Sequence, residues 1–459
     1  MKAPRKPLNG GDTRKPVEGR TVTSVFKFIK QGPHYRPGNV RTTMLLVHMF
    51  WQLLTNLPSF LKLRKAYKKR KKHPENFSVI FYSDNLDEVN GIANSLRSVV
   101  PYLNSKGKKA HLWGSAFHTR TNGVVENGFV VLFPRAASME QLGYADSELA
   151  FPYLAPVAQF LKRYPADLME LETPSPGAWL VGIVAKIIGM KVLSHYRTDV
   201  PSYTRSLVKE AWMRRYVLSY MRFFYKNTTP VISPCEAYRK ILETEIKVKP
   251  ENIKVLPRGI PLENFSPSLR KQNYTNATFL YVGRISAEKN IAFLEELWKE
   301  FCTENKNAEL IFVGGGWYLE TLKENMKGYS NVHFAGVKVG KELAEFYASA
   351  DFFLFPSASD TFGNVIVESI ASGTPALVTD KGGPQDIINN ASKKCGWVLQ
   401  FGDLSAWKEQ LKQCCEMVRS PEYEQMRIDC AEHGKNYTLE KMTTAQWEFF
   451  KEQLFPCSE

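Results

Sequence analysis

The amino-acid sequence predicts an α/β protein with doubly wound parallel sheets and a ligand site at the carboxyl ends of the strands. Three segments carry this prediction: 279–290, 310–316 and 352–375. Each runs from an apolar strand through a glycine turn towards a helix, and such a succession is typical of a doubly wound sheet. Sheets of this kind bind ligands in the crevice beyond the strand ends, so the three turns mark the expected site.

Segment 352–375 indicates the chemistry of that site. An apolar strand pattern ends at Pro356, and residues 360–368 then lead into a helix. Such a turn offers free backbone N–H groups and the positive end of a helix dipole, which together attract phosphate. Asp360 precedes the turn, and Glu368 lies about one and a half turns into the helix. Two carboxylates beside an anion site predict a phosphorylated, hydroxyl-rich ligand, because carboxylates accept hydrogen bonds from sugar hydroxyls.

Segment 279–290 adds positive charge. Gly283 ends an apolar strand, and Arg284 and Lys289 follow at the start of the next helix. An arginine and a lysine five positions apart after a strand end can converge on a diphosphate.

Together these motifs resemble the family 4 glycosyltransferases. The resemblance rests on residues 283–290, 313–316, 347–357 and 360–375 as a set, and it covers roughly residues 78–455. It implies a retaining hexosyltransferase of the GT-B architecture, with two Rossmann-like domains facing across a cleft. Bacterial lipid-modifying hexosyl- and mannosyltransferases are similar. The implied donor is a nucleoside-diphosphate sugar, and no metal or other cofactor is expected.

Composition and the resemblance together divide the chain. Residues 1–76 are expected to form a basic, partly disordered extension with an amphipathic helix at 44–72. Residues 77–270, completed by a C-terminal helix at 438–455, would form the acceptor domain. Residues 271–437 would form the nucleotide-sugar domain.

Roles for single residues follow from the same resemblance. Asp360 would orient hydroxyls of the donor sugar, although relatives usually carry the longer Glu there, and Glu368 would hold the ribose. Arg284 and Lys289, with backbone N–H groups, would stabilise the departing diphosphate. The candidate donor-binding residues are Glu368, Gly363, Asn364, Phe362, Gly283, Gly314 and Lys338, and Asn90 and Gly91 form the candidate acceptor loop.

One catalytic position departs from the family pattern. Relatives often carry Tyr-His-Thr after the strand that here begins at Lys191, and the histidine approaches the donor sugar. In this chain Arg197 stands before Thr198, and His195 lies two residues earlier. Residues two apart on a strand share a face, so both side chains are candidates for the cleft, with Arg197 preferred.

The positive charge is concentrated at the amino terminus. The formal net charge is +15, and residues 1–75 contain 18 Lys and Arg against three Asp and Glu, whereas the remainder holds 43 of each sign. Because one tail carries the excess and no nucleic-acid-binding module is recognisable, nucleic acid is not an expected partner. The seven cysteines lack metal-binding spacing, and the first 40 residues lack an apolar run. These features predict reduced thiols in a cytoplasmic protein without a secretory signal.

Residues 44–61 form the most apolar segment, and residues 62–72 add eight Lys and Arg. An interfacial helix on an anionic membrane surface, a helix packed on the protein's own body and a membrane span are all open, with the first preferred. Residues 205–226, predicted as one basic aromatic helix, are a second candidate for membrane contact. The protein is therefore expected on the inner face of the membrane, as a peripheral protein.

The sequence leaves several alternatives open. The acceptor is expected to be a membrane glycolipid precursor, but a soluble or cell-surface polysaccharide is the alternative. A catalytically inactive membrane scaffold of the same fold is another alternative. The nucleotide base, the sugar, the linkage and the oligomeric state are not predicted.

Overall fold

The computed structural model describes residues 40–86, 91–116, 124–126, 129–141, 144–207, 210–271 and 276–456. Asn90 and the segment before residue 40, where disorder is predicted, lie outside these ranges. Within them the chain folds into two sheets flanked by helices, which confirms the predicted pair of Rossmann-like units. A basic helix, α1 (Val40–Lys69), precedes the first strand.

The first sheet carries the expected acceptor side of the protein. Its strands are β1 (Ser78–Asn85), β2 (Lys109–Ala116), β3 (Val124–Glu126), β4 (Val130–Gln141), β5 (Tyr144–Pro152), β6 (Leu168–Leu171), β7 (Lys191–His195), β8 (Val231–Ser233) and β9 (Ile253–Val255). Over the described residues their order is β3-β4-β2-β1-β6-β7-β8-β9, with β5 paired to β4. Strands β3 and β5 run antiparallel to β4, and the other pairs are parallel.

Helices cover this sheet because their apolar faces need burial. They are α2 (Gly91–Ser105), α3 (Leu154–Arg163), α4 (Pro176–Ile188), α5 (Val200–Leu207), α6 (Ala211–Lys226) and α7 (Glu236–Thr244). Helix α4 shows how the sequence sets the ends. The Ser175 side chain accepts a hydrogen bond from the N–H of Ala178, Pro176 fits the first helical position, and Gly189 closes the helix with a φ of 89°.

The second sheet positions the donor motifs. Its strands are β10 (Ala277–Val282), β11 (Ala308–Val313), β12 (Val332–Gly336), β13 (Phe352–Phe355), β14 (Ala376–Thr379) and β15 (Gly396–Leu399). All run parallel, in the order β12-β11-β10-β13-β14-β15. The chain leaves β10 in one direction and returns to β13 on its other side. The carboxyl ends of β10 and β13 therefore flank the topological switch point, where such sheets bind ligands.

The helices of this half are α8 (Ile291–Glu304), α9 (Leu319–Asn325), α10 (Gly340–Ser349), α11 (Asn364–Ala371), α12 (Pro384–Asn389), α13 (Leu404–Met417) and α14 (Pro421–Gly434). The last helix, α15 (Leu439–Leu454), returns to the first sheet, where Trp447 stacks on Phe77 with ring centroids 4.6 Å apart. The predicted boundaries at 77, 271 and 438 stay predictions.

Helix α1 packs on the body of the protein. Met49, Phe60 and Leu63 are buried in the same core as helices α3 and α4. The Gln52 side chain, also buried, accepts a hydrogen bond from the N–H of Leu154 at 3.0 Å. One face of α1 is therefore core, which agrees with the alternative of a helix packed on the protein's own body. Contact of the other face with a membrane stays a prediction. None of the described helices combines the length and the apolar character needed to cross a membrane.

The other face of α1 carries exposed apolar side chains. Val47, Phe50, Trp51 and Leu54 are all exposed. The predicted helix at 205–226 is not one continuous helix, since the backbone of Glu210 is extended and α6 starts after it. Helix α6 also exposes apolar residues, namely Trp212, Tyr216 and Phe223.

Candidate active site

Lys289 and Asp360 meet at the switch point between β10 and β13. The Lys289 Nζ atom lies 2.8 and 2.7 Å from the two carboxylate oxygens of Asp360. The Ser357 hydroxyl donates a further hydrogen bond to Asp360 at 2.6 Å. Both charged side chains keep part of their surface exposed, so a ligand can reach them. The structure thus brings together the predicted diphosphate cation and the predicted sugar-orienting acid.

The loop that leads to Asp360 is fixed to the loop that carries Lys289. The Ser359 hydroxyl donates to the carbonyl of Glu288 at 3.1 Å, and the Asn290 side-chain amide donates to the carbonyl of Pro356 at 3.4 Å. Asn290 itself adopts a left-handed φ of 57°, which asparagine tolerates better than most residues. These bonds hold the ends of two neighbouring strands in one arrangement.

Helix α11 begins at the site. Gly363 precedes it with a φ of 97°, a conformation that favours glycine. The Asn364 Oδ1 atom is buried and has no hydrogen-bond partner among the described residues, so it can accept from a ligand hydroxyl. The Phe362 side chain is buried against Tyr437, so this predicted donor-binding residue contributes a packing side chain.

Glu368 lies on α11, farther from the loop. The hydroxyl of Tyr347 donates a hydrogen bond to Glu368 Oε2 at 3.0 Å. Burial raises the pKa of Glu368 to about 7, while the hydrogen bond from Tyr347 acts in the opposite direction. The carboxyl therefore changes its charge near neutral pH.

The predicted glycine turns lie against one another. Gly283 and Gly314 have φ values of 152° and 145°. A Cβ atom on Gly314 would lie 1.9 Å from the carbonyl oxygen of Gly283, so only glycine fits this approach of the β10 and β11 ends.

Two predicted cations have other partners. Arg284 is exposed and forms an ion pair with Glu288, with 3.6 Å between Nη1 and Oε1. Lys338 lies 3.5 Å from Glu342 on α10. Neither is paired with Asp360 in the structure. Gly91 is the exposed first residue of α2, and its predicted neighbour Asn90 lies outside the described residues.

Arg197 and His195 belong to a buried polar network. Arg197 Nε hydrogen-bonds to Glu172, and His195 Nδ1 lies 3.0 Å from Glu170. The Gln446 amide of α15 donates to both oxygens of Glu170 at 3.1 and 2.9 Å. Burial, with repulsion from Glu172, raises the pKa of Glu170 well above its ordinary value. Burial, together with two nearby guanidinium groups, holds the pKa of His195 well below its ordinary value.

The atoms of Glu170, Glu172 and His195 that could ligate a metal lie within 4.8 Å of one another. The donors Arg197 and Gln446 already bond to the carboxylates of this group. The guanidinium groups of Arg197 and Arg258 would repel a divalent cation at this cluster, whereas Glu172 Oε1 and His195 Nε2 have no hydrogen-bond partner among the described residues.

Arg258 and Thr361 join the two halves at the site through contacts that the sequence did not predict. The Arg258 Nη2 atom donates to the Arg197 carbonyl oxygen and to Thr361 Oγ1, both at 3.1 Å. The Thr361 hydroxyl in turn donates to the same Arg197 carbonyl oxygen at 2.8 Å. Nearby, the N–H of Ala237 donates to Asp386 at 2.8 Å. The sequence does contain a signal for the buried acids of the network. Glu170 lies within the apolar strand β6, and Glu172 directly follows it.

Comparisons with known proteins identify the family to which the chain belongs. The profile of the family described as "Glycosyltransferase Family 4" matches residues 89–264, and that of "Glycosyl transferases group 1" matches residues 266–435. Together the two profiles cover more than half of the chain.

Two curated relatives and one solved structure are similar over most of the chain. "Alpha-monoglucosyldiacylglycerol synthase" of Streptococcus pneumoniae is 28% identical over 71% of this chain and 75% of its own length. "GDP-mannose-dependent alpha-mannosyltransferase" of Mycobacterium tuberculosis is 25% identical over 69% of this chain and 82% of its own. Sucrose-phosphate synthase of Thermosynechococcus elongatus superimposes with a TM-score of 0.65 and 18% identity, over 83% of this chain and 100% of its own. The chain belongs to the family 4 glycosyltransferases and is a glycosyltransferase of the GT-B fold.

Proposed function

We propose that the enzyme transfers a hexose from a nucleoside-diphosphate sugar to an acceptor hydroxyl, with retention of the anomeric configuration and without a metal ion. The observation that carries this proposal is the meeting of Lys289 and Asp360 beside the amino terminus of α11, with Glu368 on the same helix. A cation, a helix amino terminus and two acids suit a diphosphate joined to hydroxyl-bearing rings. The α-products in the names of both relatives support retention.

The proposed step breaks the bond between the sugar's anomeric carbon and a phosphate oxygen, and it forms a bond from that carbon to the acceptor oxygen. The departing phosphate oxygen takes the bonding electron pair, so negative charge grows on the diphosphate, and the acceptor proton passes to that oxygen or to solvent. Lys289 and the N–H groups at the start of α11 would meet that charge. Asp360 would accept hydrogen bonds from sugar hydroxyls, and Glu368 from the ribose. We assign no protein nucleophile.

The acceptor we favour is a membrane lipid, used at the inner face of the cytoplasmic membrane. A relative whose name specifies a diacylglycerol product supports it. The exposed apolar residues of α1 and α6, with the basic stretch 62–72, suit an anionic lipid surface. The surface would be provided by the outward faces of residues 44–72 and 205–226.

Nucleotide release by the purified protein tests the proposal. UDP-, GDP- and ADP-sugars would be offered with and without anionic liposomes that contain diacylglycerol. We expect release from one donor, stimulated by the liposomes and lost in Glu368→Ala and Lys289→Ala. The matched control is Lys323→Ala, because Lys323 also forms an ion pair at 2.8 Å but on the exposed helix α9.

The outcomes separate the alternatives. Release that liposomes do not stimulate, but that a soluble glycan does, would replace the lipid acceptor by a polysaccharide. Binding of a donor without any release would indicate the inactive scaffold. Neither binding nor release with any donor would contradict the proposed function.

A further inference from the structure

Arg258 brings a positive charge into the cleft, and no carboxylate of the described residues contacts it. Its Nη2 atom bonds to the Arg197 carbonyl oxygen and the Thr361 hydroxyl, both of which are uncharged acceptors. Its Nε atom is buried and has no hydrogen-bond partner among the described residues. No carboxylate of the described part of the chain lies within 4.0 Å of its guanidinium nitrogens.

The neighbouring cations differ from Arg258 in this respect. Arg197 is paired with Glu172, Lys289 with Asp360, and Arg284 with Glu288, the last a looser pair. Burial, and then repulsion from Arg197, lowers the pKa of Arg258 to about 9, whereas attraction by Glu172 and Asp360 acts in the opposite direction. These two acids already have Arg197 and Lys289 as their ion-pair partners. A half-buried guanidinium group that no carboxylate contacts is poorly solvated, and an anion placed beside it would offset that cost.

The position of Arg258 in the cleft indicates which anion it could bind. Its partner Thr361 directly follows Asp360, the acid beside Lys289 at the switch point. A guanidinium group can bind two anionic oxygens at once, through its fixed fork of N–H donors. A bound nucleotide-sugar would offer such oxygens on its diphosphate, or on an acidic group of the sugar.

We propose that Arg258 is an anion-binding residue of the donor site, which pairs with an anionic oxygen of the donor. The proposal rests on the proposed function, since it assumes a nucleotide-sugar donor. Arg258 would be a third cationic side chain at the donor, beside the predicted Arg284 and Lys289. It would reach the donor from the linker between the two sheets. Because the same guanidinium joins Arg197 to Thr361, donor binding would also strengthen the contact between the two halves.

Calorimetric titration of the full chain tests the proposal. The ligands are a nucleoside monophosphate, the matching diphosphate, and the diphosphates of a hexose and of a hexuronic acid, with the base that the wild type prefers. We expect Arg258→Gln to weaken the diphosphate or the hexuronate complex about tenfold or more, because hydrogen bonds to charged groups are strong. The monophosphate complex should change less than about twofold.

Two further variants separate charge from structure. Arg258→Lys keeps the charge and should recover part of the lost affinity. Thr361→Val removes a neutral partner of Arg258 but keeps its charge, so it should retain the preference for the diphosphate. If Arg258→Gln loses affinity for every ligand that has a second phosphate, the diphosphate provides the anionic oxygen. If it loses affinity only for the hexuronate, the acidic group of the sugar provides it.

Other results would overturn the proposal. Arg258→Gln could weaken the binding of all four ligands equally, or weaken none of them. Thr361→Val could lose the same affinity as Arg258→Gln. Each of these results would leave Arg258 as a structural link between the two halves. These results would not affect the proposed function. A wild-type protein that binds no nucleoside diphosphate would remove the proposed function, and this inference with it.

Discussion

The Lys289 ammonium group contacts both carboxylate oxygens of Asp360, at 2.8 and 2.7 Å, although the residues lie 71 positions apart in the chain. They follow β10 and β13, whose carboxyl ends are neighbours in the sheet. In the proposed function, the phosphates of a bound donor would compete with Asp360 for the Lys289 ammonium group. The pair would then couple the binding of the leaving group to the orientation of the sugar.

Replacing Lys289 by alanine should lower kcat/KM for the donor by about 10²–10³, the usual loss when one group that stabilises departing charge is removed. Steady-state nucleotide release measures this change. Lys323→Ala should behave like the wild type, and a Lys289→Ala enzyme within about twofold of the wild type would contradict the assigned role.

Donor binding should depend on pH through Glu368. Its ionised carboxylate accepts hydrogen bonds from ribose hydroxyls more strongly than the protonated acid does, so donor affinity should rise, by up to about tenfold, between pH 6 and pH 8. The same raised pKa makes proton uptake stabilise the folded protein, a contribution that is lost as the pH rises through about 7.

Calorimetry across this pH range provides the measurement. Glu368→Gln should flatten the profile, because an amide does not titrate. Tyr347→Phe removes the hydrogen bond that lowers the pKa of Glu368, and it should move the rise to higher pH. An unchanged profile in Glu368→Gln would assign the titration to another group.

The contact between the two glycine turns should not tolerate a side chain. Gly314→Ala would place a Cβ atom 1.9 Å from the Gly283 carbonyl oxygen and would also force a positive φ on alanine. We expect a loss of stability of about 1–3 kcal/mol or more, together with weaker donor binding. Gly328→Ala is the matched control, since nothing lies within 4 Å of its added Cβ atom. Urea unfolding compares the two, and equal stabilities would contradict the prediction.

The buried network behind Arg197 should contribute to stability. Gln446→Leu removes both hydrogen bonds to the Glu170 carboxyl group, so we expect the free energy of unfolding to fall by about 1–3 kcal/mol. Gln413→Leu is the control, because the Gln413 amide bonds to Glu409 on the surface. If both variants lose a similar free energy of unfolding, the buried hydrogen bonds contribute no more to stability than the exposed one.

The exposed face of α1 should bind anionic vesicles. Replacing Phe50 and Trp51 by serine removes two exposed apolar side chains and should reduce co-sedimentation with phosphatidylglycerol vesicles at least severalfold. Ile428→Ser, an exposed apolar position of the second half, should leave it unchanged. If the variant with serine at positions 50 and 51 binds the vesicles as well as the wild type does, the membrane-binding surface lies elsewhere on the protein.

The sequence predicted the donor half well because its signals are local. A strand, a glycine turn and a helix start are each readable from neighbouring residues, and sheet topology then brings Lys289 to Asp360. Arg258 and Thr361 were missed as a pair because their contact joins separate halves of the chain. Packing of α1 on the protein's own body was an open alternative but not the preferred one, since the apolar surface that Phe60 meets is formed by residues far along the sequence.

The return of α15 to the first sheet has a consequence for synthesis. Phe450 packs edge-to-face near Phe81, and Ile260 is bridged to Thr438, so the second sheet is inserted between two parts of the first unit. Domains usually fold as units while the chain emerges, amino-terminal part first. Here the amino-terminal unit lacks part of its core until α15 has left the ribosome. The donor half can thus finish folding first, although it is translated second.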